Sequence, residues 1–253
     1  MKARVRKLLR WMLVIPAVLL IPVIGFVVWG LTPLGPSPSA LQALRTDGSV
    51  RVSHAKEGWV FAPVNGKAAH GLVFYPGGRV DVRSYAPYAR AVAARGFLVV
   101  LVPMPLSLAV LNPAAADRTI DLHPEISTWT VGGHSLGGAM AAQYAGDHLD
   151  AVNGLVLLAA YPPDTADSSK SSLVVSSLVG SQDGVINRTT WQSARRLLPK
   201  DTRYLEIAGG NHAQFGDYGM QPGDTSQPDL SADEQQAVAV EESVRVLLGE
   251  VER

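Results

Sequence analysis

Among the 253 residues of the chain, Ser135 has the neighbourhood most suited to chemistry. It lies in Thr130–Met140, TVGGHSLGGAM, with glycines at 132, 133, 137 and 138 around it. A plain structural turn needs one or two. Gly133-His134-Ser135-Leu136-Gly137 satisfies G-x-S-x-G, a pattern that is weak alone and gains weight from its context. An apolar run precedes it and a helix-forming run follows. A sharp strand-to-helix turn forces the serine into a strained conformation and brings strand and helix so close that bulky neighbours would clash. It also exposes the hydroxyl at the carboxyl edge of a sheet, near a helix N-terminus that favours developing negative charge. That is a nucleophile's position. A glycine-rich turn with an incidental serine is the plainer alternative.

A serine hydroxyl is a poor nucleophile unless a base takes its proton and a third group orients the base. On a fold with such an elbow, the chain order is serine, then acid, then histidine. The histidines stand at 54, 70, 123, 134, 148 and 212. His134 adjoins the serine and should point away from its hydroxyl, as a packed or pocket-lining residue. His148 closes the following helix, at the wrong end of the sheet. His212, in IAGGNHAQFGDYG, is the one downstream candidate that directly follows a strand-like run. For the acid, Asp147 and Asp150 lie at the far end of the elbow helix, and Asp201 precedes its strand. Asp183, in VGSQDGV, follows a strand and so shares an edge with Ser135 and His212. Asp164 or Asp167 is the fallback, and a turn-forming Asp-Gly is the bland reading of Asp183. Two donors must also meet a developing oxyanion, each worth about 3 kcal/mol of transition-state stabilisation. The backbone N–H of Leu136 is expected to be one. Gly78, with Gly77 as alternative, follows the strand-like HGLVFYP and supplies the other.

From about residue 50 onward, strand and helix patterns alternate, which signals an α/β fold with a mainly parallel sheet. SVRVSH and GWVFAP read as two early strands; HGLVFYP, FLVVLVP, WTVGG, GLVLLAAYP, SLVVSSLVG and RYLEIAG follow. Runs as apolar as FLVVLVP suit strands covered on both faces. Helices are predicted over 84–96, 113–123, 136–148 and WQSARRLLP. A last one starts at Ser231 and Glu234, which have capping-box spacing. Val240, Val244, Leu247, Leu248 and Val251 form its expected buried stripe.

Together, YPGG, GGHSLGG, GSQDGV and GGNHAQFGDYG resemble the bacterial α/β-hydrolase family, in particular its small branch labelled α/β-hydrolase fold-5. The resemblance covers roughly residues 50–250. It implies Ser135, Asp183 and His212 as a catalytic triad, backbone donors at Leu136 and Gly78, and action on esters and other acyl compounds. The segment about 163–171 is too short for a sizeable lid domain, so an open site is expected. PMPLSLAVL (103–111) is a candidate apolar wall. His134, Phe215 and Tyr218 are candidate substrate-binding residues, with Met220 beside them.

The amino end carries a different signal. Lys2, Arg4, Arg6, Lys7 and Arg10 precede Trp11–Leu31, an uncharged apolar stretch about as long as a bilayer-spanning helix. Pro16 and Pro22 are tolerated in membrane spans, and Trp11 and Trp29 lie where an aromatic belt would put them. The domains expected are a basic cytoplasmic flank 1–10, a transmembrane anchor 11–31, a Pro/Ser-rich extended spacer 32–49 and a hydrolase domain 50–253. The basic flank stays cytoplasmic, which places the domain outside the membrane. A cleaved signal peptide, giving a secreted domain, is the rival reading.

The rest of the chain excludes several classes. Five of the 22 basic residues lie in the first ten positions, so the remainder, with 22 acidic residues, is net negative. It has no basic stripe for nucleic acid. With no cysteine, zinc–thiolate sites, disulfides and a cysteine nucleophile are excluded. No metal-ligating or dinucleotide fingerprint is present, so no cofactor is expected. The partner expected is a small-molecule acyl ester. An amidase, peptidase or thioesterase would use the same residues, and a catalytically silent binding protein of the same fold is the alternative from another class. The acyl group and the oligomeric state are not encoded legibly.

Overall fold

A computed structural model describes residues 19–250. Eight strands form one sheet in the order β1-β2-β4-β3-β5-β6-β7-β8. They are β1 Val50–Ala55, β2 Gly58–Pro63, β3 His70–Tyr75, β4 Leu98–Leu101, β5 Thr128–His134, β6 Gly154–Leu158, β7 Val174–Gly180 and β8 Arg203–Ile207. β1 and β2 form an antiparallel pair, and β2 joins β4 antiparallel. Every other pairing is parallel. The carboxyl ends of β3, β5, β6, β7 and β8 therefore share one edge, which is where an open parallel sheet offers a crevice for a ligand.

The α-helices after residue 32 are α1 Pro38–Gln42, α2 Ala86–Ala94, α3 Ala115–Leu122, α4 Leu136–Asp147, α5 Arg188–Ser193 and α6 Ala232–Leu247. The apolar strands are apolar because both faces are covered. On one face Leu72, Phe74, Val99, Leu101, Val156 and Leu158 pack against α2 and α6. On the other, Val73, Tyr75, Val100, Val131, Leu155 and Leu157 pack against α3 and α4. Alternate residues of one strand thus serve opposite layers, as the two-residue repeat of a strand requires.

The capping box of α6 forms: the Ser231 side chain accepts from the Glu234 N–H, and the Glu234 carboxylate accepts from the Ser231 N–H. Its predicted stripe needs correction. Val240, Val244 and Leu247 are buried, whereas Leu248 is 53% exposed. Leu248 keeps helical dihedrals and its N–H still bonds to the Val244 carbonyl, but it stands at the very end of α6, where the turn at Gly249 follows and little packs over its side chain. Val251 lies outside the described residues.

Residues 32–49 also differ from the extended spacer their composition suggests. Leu34 bridges Val80 in parallel, Ser37 caps α1, and Ala40 is fully buried. Arg90 donates to the Ala43 carbonyl and pairs with Asp47. Proline and serine here start a helix rather than a free linker, since Ser37 accepts from the Ala40 N–H while Pro38 needs no acceptor. The expected flank 1–10 and residues 11–18 of the expected anchor lie outside the described residues. Residues 19–31 are helical. Among the described residues, no helix is long and apolar enough to cross a membrane.

Candidate functional site

Ser135 stands between the last residue of β5 and the first of α4, with φ 52° and ψ −123°. A non-glycine residue at such a φ is uncommon and costs about 1–3 kcal/mol, so the surroundings must enforce it. The Ser135 N–H donates to the Leu158 carbonyl at 2.9 Å, tying the elbow to β6. A Cβ on Gly133 would lie 2.6 Å from the Gly137 carbonyl carbon. One on Gly137 would lie 2.2 Å from the Pro76 carbonyl oxygen. Both contacts are with backbone that cannot retreat, which explains the surplus of glycine around one serine.

The loop after β7 brings Asp183 to the same edge. Its Oδ1 accepts from the Val185 and Ile186 N–H groups at 2.8 Å each, and its Oδ2 accepts from His212 Nδ1 at 2.9 Å. Burial pushes this carboxyl up, but the bonds from His212, Ile186 and Val185 outweigh it and hold the pKa below the usual carboxylate range. Nδ1 of His212 is thereby the protonated nitrogen, which leaves Nε2 free to accept. Nε2 is buried and has no hydrogen-bond partner among the described residues. Ser135 and His212 line the same cavity.

Two side chains missed at the sequence level hold these loops together. Asp224 Oδ1 accepts from the N–H groups of Gly184 and His212, and Oδ2 accepts from Ala213 N–H. Gln235, fully buried on α6, accepts from Asn211 N–H at 2.9 Å and donates to the Asn211 carbonyl at 2.8 Å. One carboxylate therefore stitches the Asp183 loop to the His212 loop. The only sequence signal for Asp224 was a polar residue inside a glycine- and proline-rich segment, which any loop would show.

At the end of β3, Gly77 and Gly78 are separated in role by one contact. The Gly77 N–H donates to the Tyr85 hydroxyl at 2.9 Å, so it is occupied. Neither the Gly78 nor the Leu136 N–H donates to a backbone carbonyl of the loops among the described residues, and a Cβ on Gly78 would sit 3.2 Å from the Leu136 side chain. Two adjacent donors beside the serine suit a developing oxyanion.

His134, Phe215 and Tyr218 do not border the cavity, contrary to the expectation of substrate contact. They are buried, with exposures of 0%, 0% and 7%, and form an aromatic layer behind the site. The His134 ring centroid lies 4.6 Å from that of His212 and 5.9 Å from that of Phe215. The Tyr85 hydroxyl accepts from the Gly77 N–H at 2.9 Å and donates to His134 Nδ1 at 2.8 Å. Burial, and then repulsion from a charged His212, pushes the His134 pKa well below the ordinary histidine value. His134 is thus a neutral packing residue. Met220 is exposed.

The cavity, of about 310 Å³, is lined instead by Ser135, Leu136, Ala139, Ala159, Ala160, Tyr161, Val185, Ile186, Asn187 and His212. Small and branched apolar groups dominate it. Tyr161 and Val185–Asn187 follow the ends of β6 and β7, so the positional rule that located Asp183 also points to them. The 103–111 segment contributes no wall to this cavity. Residues 159–173, between β6 and β7, carry no helix or strand. Among the described residues, no group of three or more histidine, cysteine, aspartate or glutamate residues is arranged to hold a metal.

A family model described as "Alpha/beta hydrolase family" matches residues 71–237, a range that includes Gly78, Ser135, Asp183 and His212. No curated protein matches the chain.

Proposed function

The chain belongs to the α/β hydrolase family, and from that membership we propose that it is a serine hydrolase cleaving carboxylic esters through an acyl-enzyme. Ser135 is the nucleophile and His212 its general base. Asp183 holds the imidazole with Nε2 turned to the cavity and stabilises its charged form. The Leu136 and Gly78 N–H groups receive the oxyanion. On attack, the Ser135 oxygen bonds to the acyl carbon while its proton passes to His212 Nε2. That proton leaves with the alcohol as the ester bond breaks. Water, deprotonated by the same nitrogen, then releases the acid and restores the serine.

The observation that carries this reading is the Asp183–His212 bond ending in a partnerless Nε2, in the cavity where Ser135 is held at a strained φ. A module that only bound ligand would have no use for that strain. The small apolar cavity favours short acyl groups. Wild type should turn over p-nitrophenyl acetate and butyrate faster than the decanoate. Equal rates for wild type and Ser135→Ala would refute the assignment.

The helical residues 19–31 support the anchor reading. Leu19, Leu20, Ile21, Val23, Ile24 and Phe26 are all exposed on a charge-free helix that the domain does not cover. A helix apolar on every side belongs in a core or a bilayer. We place it in the membrane, with the hydrolase domain on the extracytoplasmic side.

A further inference from the structure

The helix of residues 19–31 does not simply trail into a linker. Its last turn is joined to the turn that carries Gly78. Arg79 Nε donates to the Trp29 carbonyl at 3.0 Å, which also accepts from the Thr32 hydroxyl at 3.3 Å, and its Nη2 donates to the Thr32 carbonyl at 2.5 Å, just past the helix end. The guanidinium lies 4.5 Å over the Trp29 ring. Gly30 is buried against the 103–111 segment, so closely that a Cβ there would lie 2.7 Å from Leu106 Cβ.

The backbone at this junction is unusual. Arg79, Leu106 and Ser107 have φ of 57°, 50° and 56°. Ser107 accepts from the Arg79 N–H at 2.8 Å, and the Arg79 carbonyl accepts from Leu34 N–H at 2.7 Å. Three non-glycine residues in the left-handed region, meeting at one contact, cost about 1–3 kcal/mol each and persist only where neighbours enforce them. Here the enforcing backbone contacts tie the Arg79 turn to Ser107 and Leu34, while the Arg79 side chain reaches the helix end. Next to them, Val110 and Leu111 are 53% and 49% exposed. They follow Leu108, whose side chain comes within 3.9 Å of the Cβ position of Gly78.

We propose that the membrane helix is docked rather than tethered: Arg79 clamps its carboxyl end to the Gly78 turn, holding the catalytic mouth within one side chain of the bilayer surface so that it takes acyl esters presented from the membrane. This rests on the serine-hydrolase and anchor readings above. Trp29 then lies at the interface, where indole rings partition, and Val110 and Leu111 face the headgroup layer. Arg79 is a positioning residue.

The chain has no cysteine, so the docking can be trapped without background. The full chain carrying Gly30→Cys and Leu106→Cys, in phosphatidylethanolamine–phosphatidylglycerol vesicles, should form the 30–106 disulfide in most molecules under mild oxidation, since the two Cβ positions are within bridging range after a small shift. Absence of the bridge overturns the docking. An undocked chain carries a 15-residue Gly/Ser insertion after Val28, which separates the apolar helix from the contacts that Arg79 makes with Trp29 and Thr32. It is compared with wild type on 4-heptadecylumbelliferyl butyrate, whose alkyl chain on the leaving group partitions it into the vesicles, and on the water-soluble 4-methylumbelliferyl butyrate, so that the short acyl group is the same in both. Undocking should lower turnover of the vesicle-borne ester at least tenfold and leave turnover of the soluble ester within threefold. No change on either substrate, or an equal loss on both, overturns membrane presentation. A wild type inert on both esters but efficiently bridged would instead refute the hydrolase reading and leave the docking standing. Arg79→Ala should lower turnover of the vesicle-borne ester severalfold. Arg79→Lys should not restore it, because one ammonium cannot span two carbonyls and stack on Trp29.

Discussion

At the scale of single residues, the account turns on which nitrogen of His212 is free. Asp183 accepts the hydrogen bond from His212 Nδ1–H, which leaves the Nε2 lone pair for the proposed role of base. Asp183→Asn would present a donor to Nδ1 and select the wrong tautomer. In a comparable triad that change costs about 10⁴-fold in kcat, and a drop of that order in steady-state ester hydrolysis is the expected outcome. His134 gives a second prediction, on stability. Its folded pKa is pushed well below 6.5, so the unfolded chain binds a proton that the native chain refuses. Stability is therefore lost as pH falls below about 6.5, by at most about 1.4 kcal/mol per unit. Urea midpoints between pH 7.5 and 5.5 should fall more steeply for wild type than for His134→Gln; equal slopes would contradict a buried neutral imidazole. The meeting of Ser135, Asp183 and His212 on one sheet edge was legible because each follows a strand. The burial of His134, Phe215 and Tyr218 outside the cavity lining was not, because their sequence positions place them near it without saying which way each side chain turns.

At the scale of elements, the strand–serine–helix unit and the two loops after β7 and β8 are what positions the chemistry. Gly137→Ala should destabilise the protein by about 3 kcal/mol or more, since its methyl meets the Pro76 carbonyl at 2.2 Å and overpacking of 1–3 kcal/mol is usual even where neighbours can move. A thermal melt measures it. Asp224→Ala frees the N–H groups of Gly184, His212 and Ala213 together. A shift of about 1 Å at the reacting groups costs on the order of 10²-fold, so kcat should fall by up to that factor while KM changes little. An unchanged kcat would show that the two loops hold themselves. Strands, the α6 capping box and the elbow were readable from periodicity and glycine spacing. The clamp by Asp224 and Gln235 was not, because a side chain that accepts from loop amides leaves no period in the sequence.

At the scale of the whole molecule, one parallel sheet collects residues from distant parts of the chain onto one edge, and the family match spans most of that assembly, residues 71–237. The amino-terminal segment was legible as apolar and uncharged, but its docking was not. The Pro/Ser composition of 32–49 suggested a free spacer, whereas Leu34, Ser37 and Ala40 are built into the domain. The full chain should partition with membranes and resist alkaline extraction, while residues 32–253 stay in the aqueous phase. The most direct measurement of the central claim is intact-mass analysis after treatment with a fluorophosphonate. One adduct on wild type, mapped to Ser135 and absent from Ser135→Ala and from heat-unfolded protein, is the result this account predicts. A native protein that acquires no adduct, or acquires it equally with Ser135 replaced, would contradict it.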